Sequence, residues 1–150
     1  MPHGRLPKPG AKWYLPEETF RMVQHFCRSY KEIKKNVKEL NDEIDRIGLM
    51  SGQNLDGMPH GTDITDPTSS QAIKRQELEH KRDAELNKIT IIERAVQRSD
   101  PGGLGPWLFM AVTDKNMTCI CLQTKYGMPC EKNAFSLLRR EIYWRVAQEL

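Results

Sequence analysis

The sequence has no long apolar run. No stretch approaches the roughly 20 residues needed to cross a bilayer. The N-terminal MPHGRLPKPGAK has basic residues but no apolar segment behind them, so it does not read as a secretory signal. The expected location is the cytoplasm. Cysteine is scarce too: Cys27, Cys119, Cys121 and Cys130 are the only four, expected there as reduced thiols. Cys119-x-Cys121 with Cys130 is tighter than a zinc knuckle and lacks a fourth ligand nearby, so small buried residues or, for Cys130, a helix cap are expected instead of a metal site. HExxH, P-loop, GxSxG and paired-carboxylate patterns are all missing. Asp56, His60, Asp63 and Asp66 lie in a glycine-rich stretch where Asp and His are ordinary turn residues. His25 and His80 fall on long helices as seam or flank residues. Neither an enzyme nor a cofactor is expected.

What is present is charge spread over helical periods. Charged residues make up 29% and hydrophobic ones 38%, with a mean hydropathy of −0.66. That balance suits long solvated helices with narrow apolar stripes rather than a compact globule. The net charge of +3 decides nothing by itself.

Residues 1–15 carry Gly and Pro breakers with Arg5, Lys8 and Lys12, and read as a flexible basic arm. Pro16 suits a first helical position, with Glu17 and Glu18 in the turn where the helix dipole favours acids. Val23, Phe26, Tyr30, Ile33, Val37, Leu40, Ile44 and Ile47 then alternate steps of three and four, a heptad seam. Gly48 reads as the stop. A helix of about 30 residues is roughly 45 Å long and needs a partner. After a linker at 48–67, Asp66 can cap and Pro67 can open a second helix to about Arg98. Its inward residues are Ala72, Leu78, Leu86, Ile89, Ile92 and Val96. An antiparallel, coiled-coil-like hairpin over 16–98 is the simplest assembly, with a parallel dimer through the first helix as the competitor.

SDPGGLGP at 99–106 reads as a hinge before a C-terminal unit, 107–150. Three short helices fit there: Trp107 to about Val112, one capped by Asn116 and running to about Lys125, and one from about Cys130 onward. Gly127 supplies the freedom a tight turn needs and Pro129 stops the second helix. This is the outline of a helix-turn-helix within an all-α fold. On the third helix Phe135, Leu138, Ile142 and Val146 form the inward face. Asn133, Ser136, Leu137, Arg140 and Trp144 lie opposite, flanked by Lys132, Arg139 and Tyr143. Asn can pair with adenine, Arg with guanine and Ser with either. Lys125, Lys132 and Arg139 are placed for phosphates. From Lys115 to Arg145 six Lys or Arg face two Glu, a local net charge of +4. Trp144 lies beyond the expected groove contacts and is expected to pack against the hairpin. The arm could follow a groove, though a plain tail is the simpler reading.

The stretch from Val112 to Leu150 resembles the end of phage transcriptional regulators of the RinA and ArpU type. The matching pieces are Met128-Pro129-Cys130, Asn133-Ala134-Phe135 and Arg139-Arg140. DGMPHGTDITDPTSSQAIKR resembles their glycine-rich linker and helix start, here Thr65, Asp66, Pro67 and Thr68; IIERAV resembles a further segment. The similarity runs over about 16–150 through short motifs whose order and spacing carry it. It implies a last domain like region 4 of sigma factors, activation of late phage genes in a bacterial host, and Lys132, Asn133, Ser136, Arg139 and Arg140 facing DNA. The chain departs from the pattern at Ser136, where an aromatic is usual, and at Glu141-Ile142-Tyr143, where the family is basic and aromatic.

Double-stranded DNA is thus the expected partner, with RNA polymerase or a second copy of the chain as further ones. Two other functions fit the outline: a DNA-packaging protein resembling a small terminase subunit, and a coiled-coil adaptor whose last unit binds protein. Packaging subunits usually place the DNA-binding part first, which counts against the former.

Overall fold

The structure, a computed structural model, describes residues 10–53 and 67–150, with side chains over 10–48 and 69–150. Among the described residues there are six helices and no strand: α1 Glu17–Arg28, α2 Tyr30–Gln53, α3 Pro67–Ser99, α4 Gly105–Thr113, α5 Cys119–Lys125 and α6 Lys132–Glu149. The fold is all-α. No helix among them is long and apolar enough to cross a membrane. Residues 1–9 and 54–66, which hold most of the expected arm and linker and the Asp66 cap, lie outside the described residues.

The first long helix is divided at Ser29. The Ser29 amide is shared between the carbonyls of His25 and Phe26 at 3.1 and 3.2 Å, and its hydroxyl donates to Phe26 O at 2.6 Å. A serine that bonds back to the preceding turn tightens it and interrupts the helical ladder. Gly48 does not end the helix, which continues to Gln53. Pro16 sits one position earlier than expected, as the residue before the first helical one, with Phe20 N–H donating to its carbonyl at 2.8 Å.

The chain divides into two compact units: residues up to Lys31 together with Ile89–Leu150, and Glu32–Lys88. In the first, α1 packs on α4 and α6, and α4 packs on α6. Val23 and Cys27 from α1, Leu108 and Val112 from α4, and Ile142, Tyr143 and Val146 from α6 are all buried. Each such side chain contributes about 1.5–3 kcal/mol on leaving water. Aromatic edges lock these layers: Phe20 meets Tyr143 edge-on at 5.3 Å and Tyr30 meets Phe109 at 4.7 Å. Tyr30 Oη also donates to Glu93 Oε1 at 2.6 Å.

Two inward faces differ from their helical-wheel expectation. Cys27 is buried where Phe26 was expected and Phe26 is only half-covered, because α1 faces both α4 and α6. Tyr143, expected as a flank, is almost wholly buried because Phe20 of α1 covers it, while Leu138 is only partly buried. Trp144 packs on Trp13, with ring centroids 5.0 Å apart, and lines a pocket with Arg94 and Arg98 at the end of α3. Leu15 is buried and Trp13 and Tyr14 are half-covered, so the end of the segment assigned to the arm is packed.

In the second unit only Ile33, Ile44 and Leu78 are buried hydrophobics among the described residues. Arg82 Nη1 donates to Asn41 Oδ1 at 3.3 Å, joining α3 to α2. Ala72 and Leu86, expected to point inward, are exposed, as is Ile73. Two helices alone cannot cover every apolar residue on a charged helix.

Candidate functional site

The last part of the chain builds a short helix, a turn and a longer helix. The loop into α4 is tied by Asp100. Its Oδ1 accepts from the amides of Gly102 and Leu104 at 2.9 Å each, and its Oδ2 from Gly105 at 3.0 Å. Hydrogen bonds from the Gly102 and Leu104 amides, with a smaller share from Gly105 and Gly103, hold the Asp100 carboxyl below its ordinary range. The expected hinge is therefore an ordered, anion-capped turn.

The cap of α5 is Thr118, not Asn116. Thr118 Oγ1 accepts from Cys121 N–H at 3.2 Å, while Asn116 N–H donates to Asp114 Oδ1 at 2.9 Å. Thr118 is two residues nearer the helix, in extended backbone, where its hydroxyl reaches the first free amides. After α5, Gly127 takes φ +65° and Met128 N–H turns back to Leu122 O at 3.1 Å. Two side chains fasten the turn: Trp107 Nε1 donates to Tyr126 O at 3.1 Å and Gln123 Nε2 to Cys130 O at 2.6 Å. Leu122, Met128 and Phe135 are buried beneath it. Helix α6 begins at Lys132 with Glu131 before it, so Cys130 is not its cap. No side chain caps the first turn of α6, which leaves its amides available to an outside acceptor.

Lys125, Lys132, Asn133 and Leu137 are exposed. Ser136, Arg139 and Arg140 are half-buried. The Arg139 guanidinium lies 5.9 Å from the Tyr143 ring centroid, so its stem is held while its head stays charged. Arg140 already has a partner within the protein. Lys132 and Arg139 both act electrostatically on Cys119. Burial first, and the neighbouring Cys130, raise the Cys119 thiol, while these two cations pull it back down. Burial also raises Cys130, helped by Glu131. Both thiols therefore stay protonated at neutral pH. Among the described residues no cluster of three or more His, Cys, Asp or Glu is placed to hold a metal ion. Toward its C-terminal end, the face that carries Asn133 and Leu137 is closed by Trp144 against Trp13.

The sequence missed two features of this site: the clasp of Trp107 and Gln123 on the turn, and the covering of Trp144 by Trp13. Both are long-range contacts of polar or aromatic groups that leave no periodic trace. Exposed Ile120 on α5 was likewise not singled out. No protein-family model, curated protein or solved structure matches this chain.

Proposed function

We propose that α5 and α6 form a helix-turn-helix that reads double-stranded DNA in the major groove, and that the protein is a phage transcriptional regulator acting in the bacterial cytoplasm. The observation that carries this reading is the open first half of α6, where Lys132, Asn133 and Leu137 stand exposed beside Ser136, Arg139 and Arg140. In the groove, Asn133 pairs with adenine, Arg140 exchanges its internal partner for guanine, and Leu137 offers an apolar surface to a thymine methyl. Lys125, Lys132 and Arg139, together with the free amides at the start of α6, meet phosphates. Activation of late genes, with RNA polymerase as partner, follows from the resemblance to the RinA and ArpU type. Self-association suits the sparsely covered Glu32–Lys88 unit.

The test is binding to duplexes selected from a random library, at two salt concentrations. Asn133→Ala is expected to lose about 1–3 kcal/mol on the selected site only, and Lys132→Ala to weaken all sequences and flatten the salt dependence. Exposed Ile120 and Tyr126, on α5 and at its end, favour a second reading, a protein-binding adaptor. Wild-type protein with no salt-sensitive affinity for any duplex would establish the adaptor instead.

A further inference from the structure

Far along α6 from that face, the ends of α3 and α6 enclose a small pocket of about 160 Å³, lined by Arg94, Arg98, Trp144, Arg145 and Gln148 with Glu149 at its edge. Arg145 is roughly 20 Å from Lys132 along the helix, so this is a separate place. Three observations mark it. First, three guanidinium groups converge on one cavity. Arg94 Nη1 donates to Glu149 Oε1 at 2.6 Å and Arg145 Nη2 to Glu141 Oε1 at 2.9 Å, whereas exposed Arg98 has no partner among the described residues. Second, Arg145 Nε is buried and no acceptor reaches it. An orphaned buried donor is rare in a folded protein because it loses its hydration without replacement. Third, Trp13 is held at φ +63°, a conformation bulky L-residues seldom adopt, with its ring 5.0 Å from Trp144 and 5.8 Å from the Arg145 guanidinium. Lys12 Nζ also lies over that indole, 5.2 Å from a ring centroid.

We propose that this pocket binds a phosphate group. Three cations, Arg94, Arg98 and Arg145, outnumber the Glu141 and Glu149 carboxylates that pair with two of them. The negative ends of α3 and α6 offset part of that excess. Donor geometry therefore selects the ligand. A planar carboxylate meets at most one guanidinium edge, and Glu149 takes only Nη1 of Arg94. A tetrahedral oxyanion has enough oxygens to take Arg98 and the second edge of Arg94 together and, once the Arg145 side chain turns to uncover it, the orphaned Nε–H as well. The phosphate can be a free ion or belong to a DNA backbone, and the site does not rest on the DNA-reading surface.

The full-length protein is titrated with inorganic phosphate and, separately, sodium acetate at matched ionic strength, followed by calorimetry and tryptophan fluorescence. Phosphate binding is expected, at least tenfold tighter than acetate, with a further tenfold loss in Arg98→Ala. Arg145→Lys, which keeps the charge but removes Nε–H, is expected to lose a similar amount. Arg98 is exposed, so its replacement leaves folding intact, as circular dichroism will check. A second arm follows a mixed-sequence 25-bp duplex against salt. A slope lowered by about 1 in Arg98→Ala assigns the site to a backbone phosphate. An unchanged slope with lost inorganic phosphate binding assigns it to the free ion. Wild-type binding of phosphate no tighter than acetate, or Arg98→Ala and Arg145→Lys that both bind phosphate like wild type, would overturn the proposal. A duplex left unbound by wild type removes the DNA reading and leaves the pocket to be decided by the phosphate arm.

Discussion

Cys27 and Tyr143 share a fate set by burial. Desolvation pushes the Cys27 thiol up to about 12, and it is the largest influence raising the Tyr143 phenol, partly opposed by Arg139. Both groups hold their protons more tightly folded than unfolded. Stability is therefore intact below the ordinary thiol value of 9.0 and declines as pH rises from there toward 12. Urea unfolding at a series of alkaline pH values is expected to show that decline. A disulfide reagent at pH 8 is expected to modify Cys119, Cys121 and Cys130 in the native protein and Cys27 only after unfolding, since a buried thiol cannot form the reactive thiolate. Asp100 has the opposite sign. Its carboxyl is lowered by the Gly102 and Leu104 amides, so its contribution is present above pH 3.8 and lost as pH falls. Asp100→Ala is expected to lower the Tm and flatten the acid limb of the stability profile. Gly105→Ala should act in the same direction, because a Cβ there would stand 3.1 Å from Asp100 Oδ2 and displace the carboxylate.

Among the elements, α5 is the shortest, seven residues opened by one side-chain cap and closed by one left-handed turn. Thr118→Ala is expected to cost about 1 kcal/mol by loss of the cap. Gly127→Ala, at φ +65°, is expected to cost about 1–2 kcal/mol. Denaturant midpoints at constant slope measure both. These elements also show how far the sequence could be read. The three C-terminal helices, the role of Gly127 and the buried Phe135, Ile142 and Val146 were legible from local punctuation and a period near 3.6. The starts of α5 and α6 were misplaced because Asn116 and Cys130 have the right chemistry for caps, and only the backbone decides which residue is extended. Ser29 looked like one more polar residue on a long helix. The placement of Tyr143 and Trp144 depended on Phe20 and Trp13, more than a hundred positions away in the chain. The exposure of Asn133, Leu137 and Lys132 agrees with the wheel, whereas the half-burial of Arg139 and Arg140 reflects side chains lying along the protein, which a wheel does not contain.

At the scale of the whole molecule, burial is divided unequally. Among the described residues, all but three of the buried hydrophobic ones lie in the unit made from the residues up to Lys31 and Ile89–Leu150. Local opening free energy follows the amount of buried apolar contact. Amide hydrogen exchange is therefore expected to be slowest at Val112, Ile142 and their neighbours, and faster by an order of magnitude or more at Leu40 and Ala84. A fragment of residues 107–150 is expected not to melt cooperatively, because it lacks Val23, Cys27 and Phe20 of α1. Thermal unfolding by circular dichroism, compared with the full chain, checks this.

The packing of α1 against α4 and α6 also sets an order of events during synthesis. Helix α1 leaves the ribosome well before α4 and α6, the helices it packs on. Until α6 emerges, the apolar stripe of α1 stays wet and open to chaperones. A truncated product ending before α6 should then be degraded rather than accumulate.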